Sequence, residues 1–377
     1  MTETYDAVVV GGGIVGSAVG YHLARRGVET LLIDRNDEGR ATAAGAGIIS
    51  PATSSRTADD EWFAFASDAA AYYPELDDRL RDEGTEETSY RRQGAIAIAI
   101  DTDELGPYED ARERIDERDL DSIEAIDPAE AIDRFPALAE PKRAFYHPTA
   151  ARVNGQTFAD ALRTAGQTHG LSMLNGAVES IRTRQGAVSG VDIAGGGEID
   201  AEDVVIAGGA WSPAFADDLA VDLPIEPYRG QVAHLSLPAT ETASWPIVTG
   251  FRHHYIVPWP EGRIVIGATR EPNVGYDPRL TAGGIEEVLS EGLRVAPGLS
   301  EATIEEFRVG LRPVSADRRP ILGAVPDVEG AHVATGHGAT GLMLGPYSGK
   351  TVAESVVDDA ATVPESVAVG RFDKANE

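Results

Sequence analysis

Along this chain of 377 residues the apolar positions are spaced in two styles. Residues 5–10 are a β-rich apolar run closed by glycines. Residues 14–26 then place Val15, Val19 and Leu23 at i, i+4 spacing, which predicts a helix with Gly27 at its end. Residues 28–34 are the next apolar strand. A strand, a helix and a strand within 30 residues make a βαβ unit, whose parallel strands need a sheet with helices on its faces. The same style returns late in the chain, with a strand over 331–335, a glycine-rich turn and a helix over 342–358.

The middle reads differently. Residues 41–46 are small and predict a loop, 59–84 an acidic helix, and 94–100, alternating Ala and Ile, a strand. Residues 101–140 are acidic and helix-prone, with breaks expected at Pro107 and Pro128, and 157–169 form a helix. Residues 178–193 and 198–206 read as two strands joined by Gly195-Gly196-Gly197. From 223 to 270 come short alternating strands at 231–237, 254–258 and 263–268, the pattern of an antiparallel sheet, and then a helix over 281–295. The predicted fold class is α/β with an α+β insert. A Rossmann-like dinucleotide-binding domain on a parallel central sheet is assembled from residues 1–55, 145–220 and 305–377. An antiparallel-sheet cap, the substrate domain, comes from 56–144 and 221–304. The length agrees, since single cores stop growing near ~250–300 residues.

Composition narrows the chemistry. Zero cysteines exclude disulfides, thiolate metal sites and iron–sulfur clusters. Asp and Glu total 62 against 32 Lys and Arg, a net charge of −30, and only Lys142, Lys350 and Lys374 are lysines. Such a surface disfavours nucleic acid and anionic membranes, which are held by basic residues. The acid is spread along the chain rather than blocked into a tail, which favours adaptation to high salt over a cationic partner. The longest apolar stretch, residues 7–20, is broken by Gly11, Gly12, Gly13 and Gly16 and follows Glu3 and Asp6, so neither a membrane span nor a secretory signal is expected. The expected location is cytoplasmic.

Gly11-Gly12-Gly13-Ile14-Val15-Gly16 fits G-x-G-x-x-G. Its glycines serve a tight turn, close backbone approach to a pyrophosphate, and close helix–strand packing. Alone the pattern is weak; here it follows a strand, opens a helix and is completed by Asp34 at the end of the second strand. A carboxylate there accepts from a ribose 2′-hydroxyl and repels a 2′-phosphate, which argues against NADP. Gly336-His337-Gly338-Ala339-Thr340-Gly341 fits the same spacing but lacks a following strand ending in an acid, so it is read as a glycine turn approaching the same cofactor.

These motifs, with TAAGAGIIS at 42–50, VVIAGGAWSP at 204–213, PIEPYRGQVAHL at 224–235, YIVPWPEGRIVIGATRE at 255–271 and VGLRPVSADRRPILG at 309–323, resemble the D-amino-acid oxidase/dehydrogenase superfamily of flavoproteins, which includes glycine and sarcosine oxidases. The resemblance covers nearly the full length and is weakest over 54–93. It implies a non-covalent FAD. Its adenine end would lie on Gly11, Gly13, Ile14, Val15 and Gly16, beside Asp34, Arg35 and Val178. The loop Thr42, Ala43, Ala44, Gly45, Ala46 and Gly47 would wrap the flavin, and Gly208, Gly209 and Trp211 would pass along the pyrophosphate. Gly336, His337, Gly338, Thr340, Gly341 and Leu342 would put backbone N–H groups near the flavin O2 edge.

For catalysis the resemblance implies Arg312, in GLRP, as the carboxylate anchor, also touching the cofactor. Its two parallel N–H groups suit a carboxylate. The alternative is an ion pair in an acidic chain, and Gly310 and Pro313 favour function by marking an irregular segment. Tyr255 is the second candidate, for a hydroxyl over the substrate, set against a half-buried strand aromatic. His337 reads more as a loop residue than as a catalyst, His253-His254 lacks a third ligand, and no metal is expected. Glu261 and Asp317 read as solvated turn residues, and Trp245 and Trp259 as packing.

The reading is FAD-dependent oxidative deamination of a small amino acid, a D-amino acid favoured, by hydride transfer from Cα to flavin N5, the imino acid then hydrolysing to a 2-oxo acid. The alternatives are a glycine, sarcosine or proline-type secondary-amine oxidase and a non-catalytic flavin subunit of a larger complex. No lysine follows the GHG turn where sarcosine-oxidase-like members place one, which counts against that branch. The electron acceptor (oxygen, quinone or a carrier), a peripheral membrane or respiratory-chain contact, and the oligomeric state stay open.

Overall fold

The computed structural model describes residues 3–54, 56, 59–120, 122–358 and 360–372. The opening strand, Glu3–Val10, pairs in parallel with Thr30–Asp34 on one side and Gly197–Ile206 on the other. Ala7, Val8 and Val9 are fully buried. Strands covered on both faces need such continuous apolar runs. Ser172–Asn175 extends the parallel sheet beyond Thr30–Asp34, and Ala331–Thr335 joins in parallel beside Gly197–Ile206. Two apolar layers enclose this sheet. One packs Val9, Leu32 and Val205 against helices Ile14–Arg25, Gly155–Thr168 and Gly341–Val357; the other gathers Val8, Ile33 and Ile206 with Phe215 and Leu219.

A second sheet of eight strands runs in the order Thr303–Ser315, Ile225–Ser236, Arg263–Gly267, Tyr255–Pro258, Ile247–Gly250, Ala95–Ala99, Arg143–His147, Glu124–Ile126. Its pairings are antiparallel except for Ile247–Gly250 with Ala95–Ala99, which is parallel. One face, with Ile96, Val248, Ile256 and Ile266, packs on helix Ala282–Val295 through Val288. A three-stranded ribbon, Ile48–Ile49, Ala151–Arg152 and Arg91–Arg92, lies between the two sheets in the chain's path.

The expected fold class, an α/β dinucleotide-binding sheet with a second, largely antiparallel sheet, is the one observed. Local expectations needed correction. Residues 178–193 are a hairpin, Val178–Arg184 with Ala187–Ile193, turning at Gln185 and Gly186, which both adopt positive φ. Residues 41–44 form a short helix within the expected loop. Pro107 does not break its helix, Leu105–Glu117, because it sits in the first turn, where backbone N–H groups lack partners anyway. The segment around Arg312 is not irregular: Thr303–Ser315 is a strand paired along its length with Ile225–Ser236. Pro313 faces Pro227 there, on the sheet's terminal strand, where a missing N–H is tolerated. Residues 305–315, expected in the cofactor domain, therefore pair in the second sheet. Asp317 is not merely solvated: it accepts from Arg371 Nε at 2.7 Å, which with other hydrogen bonds holds its carboxyl below the ordinary range against the opposing effect of burial.

Candidate active site

A cavity of about 1440 Å³ opens between the two sheets. That exceeds the ~300–1,000 Å³ of ordinary small-ligand pockets and leaves room for a dinucleotide with a small substrate. At one end lies the glycine turn. Gly11 adopts φ +111, and a Cβ there would stand 2.5 Å from the Ala207 carbonyl oxygen, so the turn can be this tight only with glycine. The Gly12 carbonyl is engaged from behind, by Arg163 Nη1 at 2.6 Å and Ser17 Oγ at 3.2 Å. Helix Ile14–Arg25 has no side-chain cap at Gly13 and no acid in its first turn. Thr42 Oγ1 accepts from the Ile14 N–H at 3.1 Å, while the helix dipole presents its positive end to the cavity. The Asp34 carboxylate lies directly against Gly12, accepting from the Asn36 N–H at 3.0 Å and Arg40 Nη1 at 3.2 Å.

Strand Thr303–Ser315 ties this end to the other. Its Leu311 N–H donates to the Gly39 carbonyl at 2.7 Å, Gly310 packs against Ala44, and Val314 bridges to His337 in the C-terminal glycine turn. Arg312, between these contacts, reaches the cavity with its Nη1 on the Thr269 carbonyl at 2.8 Å. The Tyr255 hydroxyl lies close enough to interact with it, and both side chains face the cavity. Burial pushes Tyr255 up, which keeps it neutral, and pulls Arg312 below its ordinary value, Tyr255 and Glu271 opposing. Two glycines make the space: a Cβ on Gly230 would overlap the Arg312 guanidinium, and one on Gly267 would stand 2.5 Å from the Tyr255 hydroxyl.

The acid nearest this end is already engaged. Glu271 accepts from Arg229 Nη2 at 2.6 Å, Gln231 Nε2 at 2.7 Å and Thr269 Oγ1 at 2.7 Å. Burial opposes, but these bonds hold its carboxyl below the ordinary range. Among the described residues no carboxylate lies within 4.0 Å of the Arg312 guanidinium. Its charge is therefore not matched by a direct ion pair among the described residues.

The family model described as FAD dependent oxidoreductase, DAO, matches residues 6–355. The chain belongs to this family. Among solved structures, iminodiacetate oxidase from Chelativorans sp. BNC1 is similar at a TM-score of 0.90 and 36% identity, over 96% of this chain and 98% of that one. The uncharacterized oxidoreductase YurR of Bacillus subtilis is 37% identical over 93% of this chain and 94% of its own length. The glycine oxidase of Pseudomonas putida is 30% identical over 96% and 98%. This DAO protein is thus an FAD-dependent oxidoreductase acting on amino-acid CH–NH groups, with FAD held non-covalently.

The residues fit that cofactor. Gly11, Gly13, Ile14 and Val15 line the cavity with Asp34 and Arg35, and Val178 joins them from the start of its hairpin. Thr42, Ala44, Gly45, Ala46 and Gly47 form another wall, Gly208, Gly209 and Trp211 a third. The Arg35 guanidinium lies 5.8 Å from the centre of the Trp211 ring, which stacks on Tyr276. His337, Gly338, Thr340, Gly341 and Leu342 close the far side. The His337 ring is turned inward instead, with Nε2 3.0 Å from Ser348 Oγ, and burial pushes it down to about 3. Three expected residues stand behind the wall. Gly16 packs against the Gly11 carbonyl, Ala43 offers its carbonyl to Arg308 Nη1 at 3.3 Å, and Gly336 packs on Ile321. Arg270, Gly230 and Gly267 were missed by sequence reasoning. Each stands inside a quoted motif, yet no spacing rule says that Gly230 and Arg270 line the cavity or that Gly267 makes room for Tyr255.

Proposed function

We propose that the protein oxidises the Cα–N bond of a small amino acid whose carboxylate sits on Arg312 and Tyr255. The observation that carries this is the Arg312 guanidinium, presented to the cavity without a protein carboxylate and backed by the Tyr255 hydroxyl. Two N–H groups of a planar guanidinium hold a carboxylate in one plane, and the Tyr255 proton adds a third donor, so the substrate's Cα is fixed rather than merely attracted. When bound, FAD takes the two electrons removed from the Cα–N bond. Two of the cavity histidines, His337 and His253, are not poised as bases. His337 is bonded to Ser348, and His253 is held below its ordinary value by burial and by Arg270. On this reading the amine reacts in its neutral form, and the chain's contribution is anchoring and orientation. The resulting imine hydrolyses in water to a 2-oxo acid.

The names of the relatives, glycine oxidase and iminodiacetate oxidase, support achiral or N-substituted amino acids over the D-amino-acid preference drawn from the resemblance. The test is anaerobic titration of the yellow protein with glycine, sarcosine and both enantiomers of alanine and proline. Arg312→Ala should lower kcat/KM for carboxylate substrates by ~10²-fold or more, as expected for losing a buried charge-assisted pair. An unchanged kcat/KM would remove the main contact of the proposal. Re-oxidation by oxygen or by a quinone dye then assigns the acceptor.

A further inference from the structure

Arg312 is not the only arginine at this end of the cavity. Arg270 lines it too, and among the described residues no carboxylate lies within 4.0 Å of its guanidinium. Its neighbours explain why. Thr269 and Glu271 turn to one side, where Thr269 Oγ1 donates to Glu271 and Glu271 takes up Arg229 and Gln231. Arg270, between them, turns to the other, as alternation along an extended chain requires. Its Nη1 donates to the His253 carbonyl at 2.8 Å, which fixes the guanidinium and leaves its remaining donors for a ligand. The two arginines are linked through one short piece of backbone, since Arg312 Nη1 bonds the carbonyl of Thr269, the residue immediately before Arg270.

Two guanidinium groups sharing a cavity repel one another. Burial and then the Arg312 charge pull Arg270 below its ordinary value. Many other arginines of this acid-rich chain have carboxylates close by; Arg252, for example, has Asp101, Asp103, Glu104 and Glu291 within 4.0 Å. Here the compensating negative charge has to come from what binds. One carboxylate, on Arg312, leaves Arg270 unbalanced; two balance both. Resting on the function proposed above, we infer that the substrate is an amino dicarboxylate, with one carboxylate on Arg312 and Tyr255 and the second on Arg270. The second carboxylate can come from the substituent on nitrogen or from the side chain, and the two sources share the same contact.

The experiment compares kcat/KM at constant ionic strength for iminodiacetate, D- and L-aspartate, and the monocarboxylates sarcosine and glycine, in the holoenzyme and in Arg270→Gln. The native enzyme should prefer one of the dicarboxylates over the monocarboxylates by ten-fold or more. Arg270→Gln should lower kcat/KM for that dicarboxylate by ~10²-fold, mainly through KM, and leave the monocarboxylates within about three-fold. Iminodiacetate as the preferred substrate assigns the second carboxylate to the nitrogen substituent, aspartate to the side chain. Retained monocarboxylate turnover and flavin absorbance show that the variant has folded. Equal kcat/KM for both classes, or a dicarboxylate preference untouched in Arg270→Gln, overturns the second contact while the function on Arg312 stands. Failure of every amino acid to bleach the flavin overturns that function itself.

Discussion

Gly230→Ala is a single methyl placed where the Arg312 guanidinium now sits, and it separates the position of the anchor from its presence. A Cβ at residue 230 would stand 2.5 Å from Arg312 Nη1 and closer still to the rest of the group, so the guanidinium must move by roughly 1 Å. The strand itself tolerates the change. Gly230 pairs with Gly310 inside a continuous ladder and does not use positive φ, so the backbone accommodates alanine and any fall in melting temperature reports the displaced Arg312 contacts. What is lost is the alignment of two charge-assisted hydrogen bonds, together worth ~2–3.5 kcal/mol, or ~30–300-fold in kcat/KM at ~1.4 kcal/mol per tenfold. Stopped-flow flavin reduction gives the rate, and thermal melting of the holoprotein gives the fold. The decisive variant is the pair Gly230→Ala with Arg312→Ala. If the methyl acts only through Arg312, the double variant is no slower than Arg312→Ala alone. A normal kcat/KM in Gly230→Ala, or additive losses in the pair, would show that Arg312 does not hold the substrate in the position described here.

Two further outcomes follow from charge. With a net charge of −30, melting temperature should climb steeply as salt rises from 0.1 to 2 M, because the Debye length shrinks from ~10 Å to below ~3 Å and self-repulsion is screened; a flat profile would refute adaptation to high salt. His147, buried with its ring between Ser50 Oγ at 2.9 Å and Thr149 Oγ1 at 3.0 Å, is pushed down to about 4 by burial. As pH falls from 6.5 towards 4, the unfolded chain takes up a proton there that the folded chain refuses. Stability complete above 6.5 is therefore lost across that window, at up to ~1.4 kcal/mol per pH unit. His147→Gln should flatten the slope of unfolding free energy against pH by about that amount, measured as the difference from the parent; an unchanged slope would refute a neutral buried ring.

How much of this was legible in advance depended on whether a feature is local. The opening βαβ unit and Asp34 could be read because helix period, glycine turn and strand-end carboxylate are all set within 34 residues. The hairpin at 185–186 was missed because Gln185 takes the positive φ usually given to Asn, Asp or Gly. The strand Thr303–Ser315 was missed because Gly310 and Pro313 look like breakers, when each is placed by its partner: Gly310 by the approach of Ala44, Pro313 by an edge that asks for no N–H. Arg312 and Tyr255 were both named in advance, but not the neighbours that position them. Gly230, Gly267, Tyr255 and Arg270 come from three strands and the segment after one of them, and only the register between those strands sets them around one guanidinium. The sequence favoured function for Arg312 with an ion pair as the alternative; the fold engages Glu271 with Arg229 and places Arg312 and Arg270 on the cavity wall. Two arginines without a close carboxylate partner, in a chain that is otherwise strongly negative, are the contrast on which the proposed dicarboxylate substrate rests.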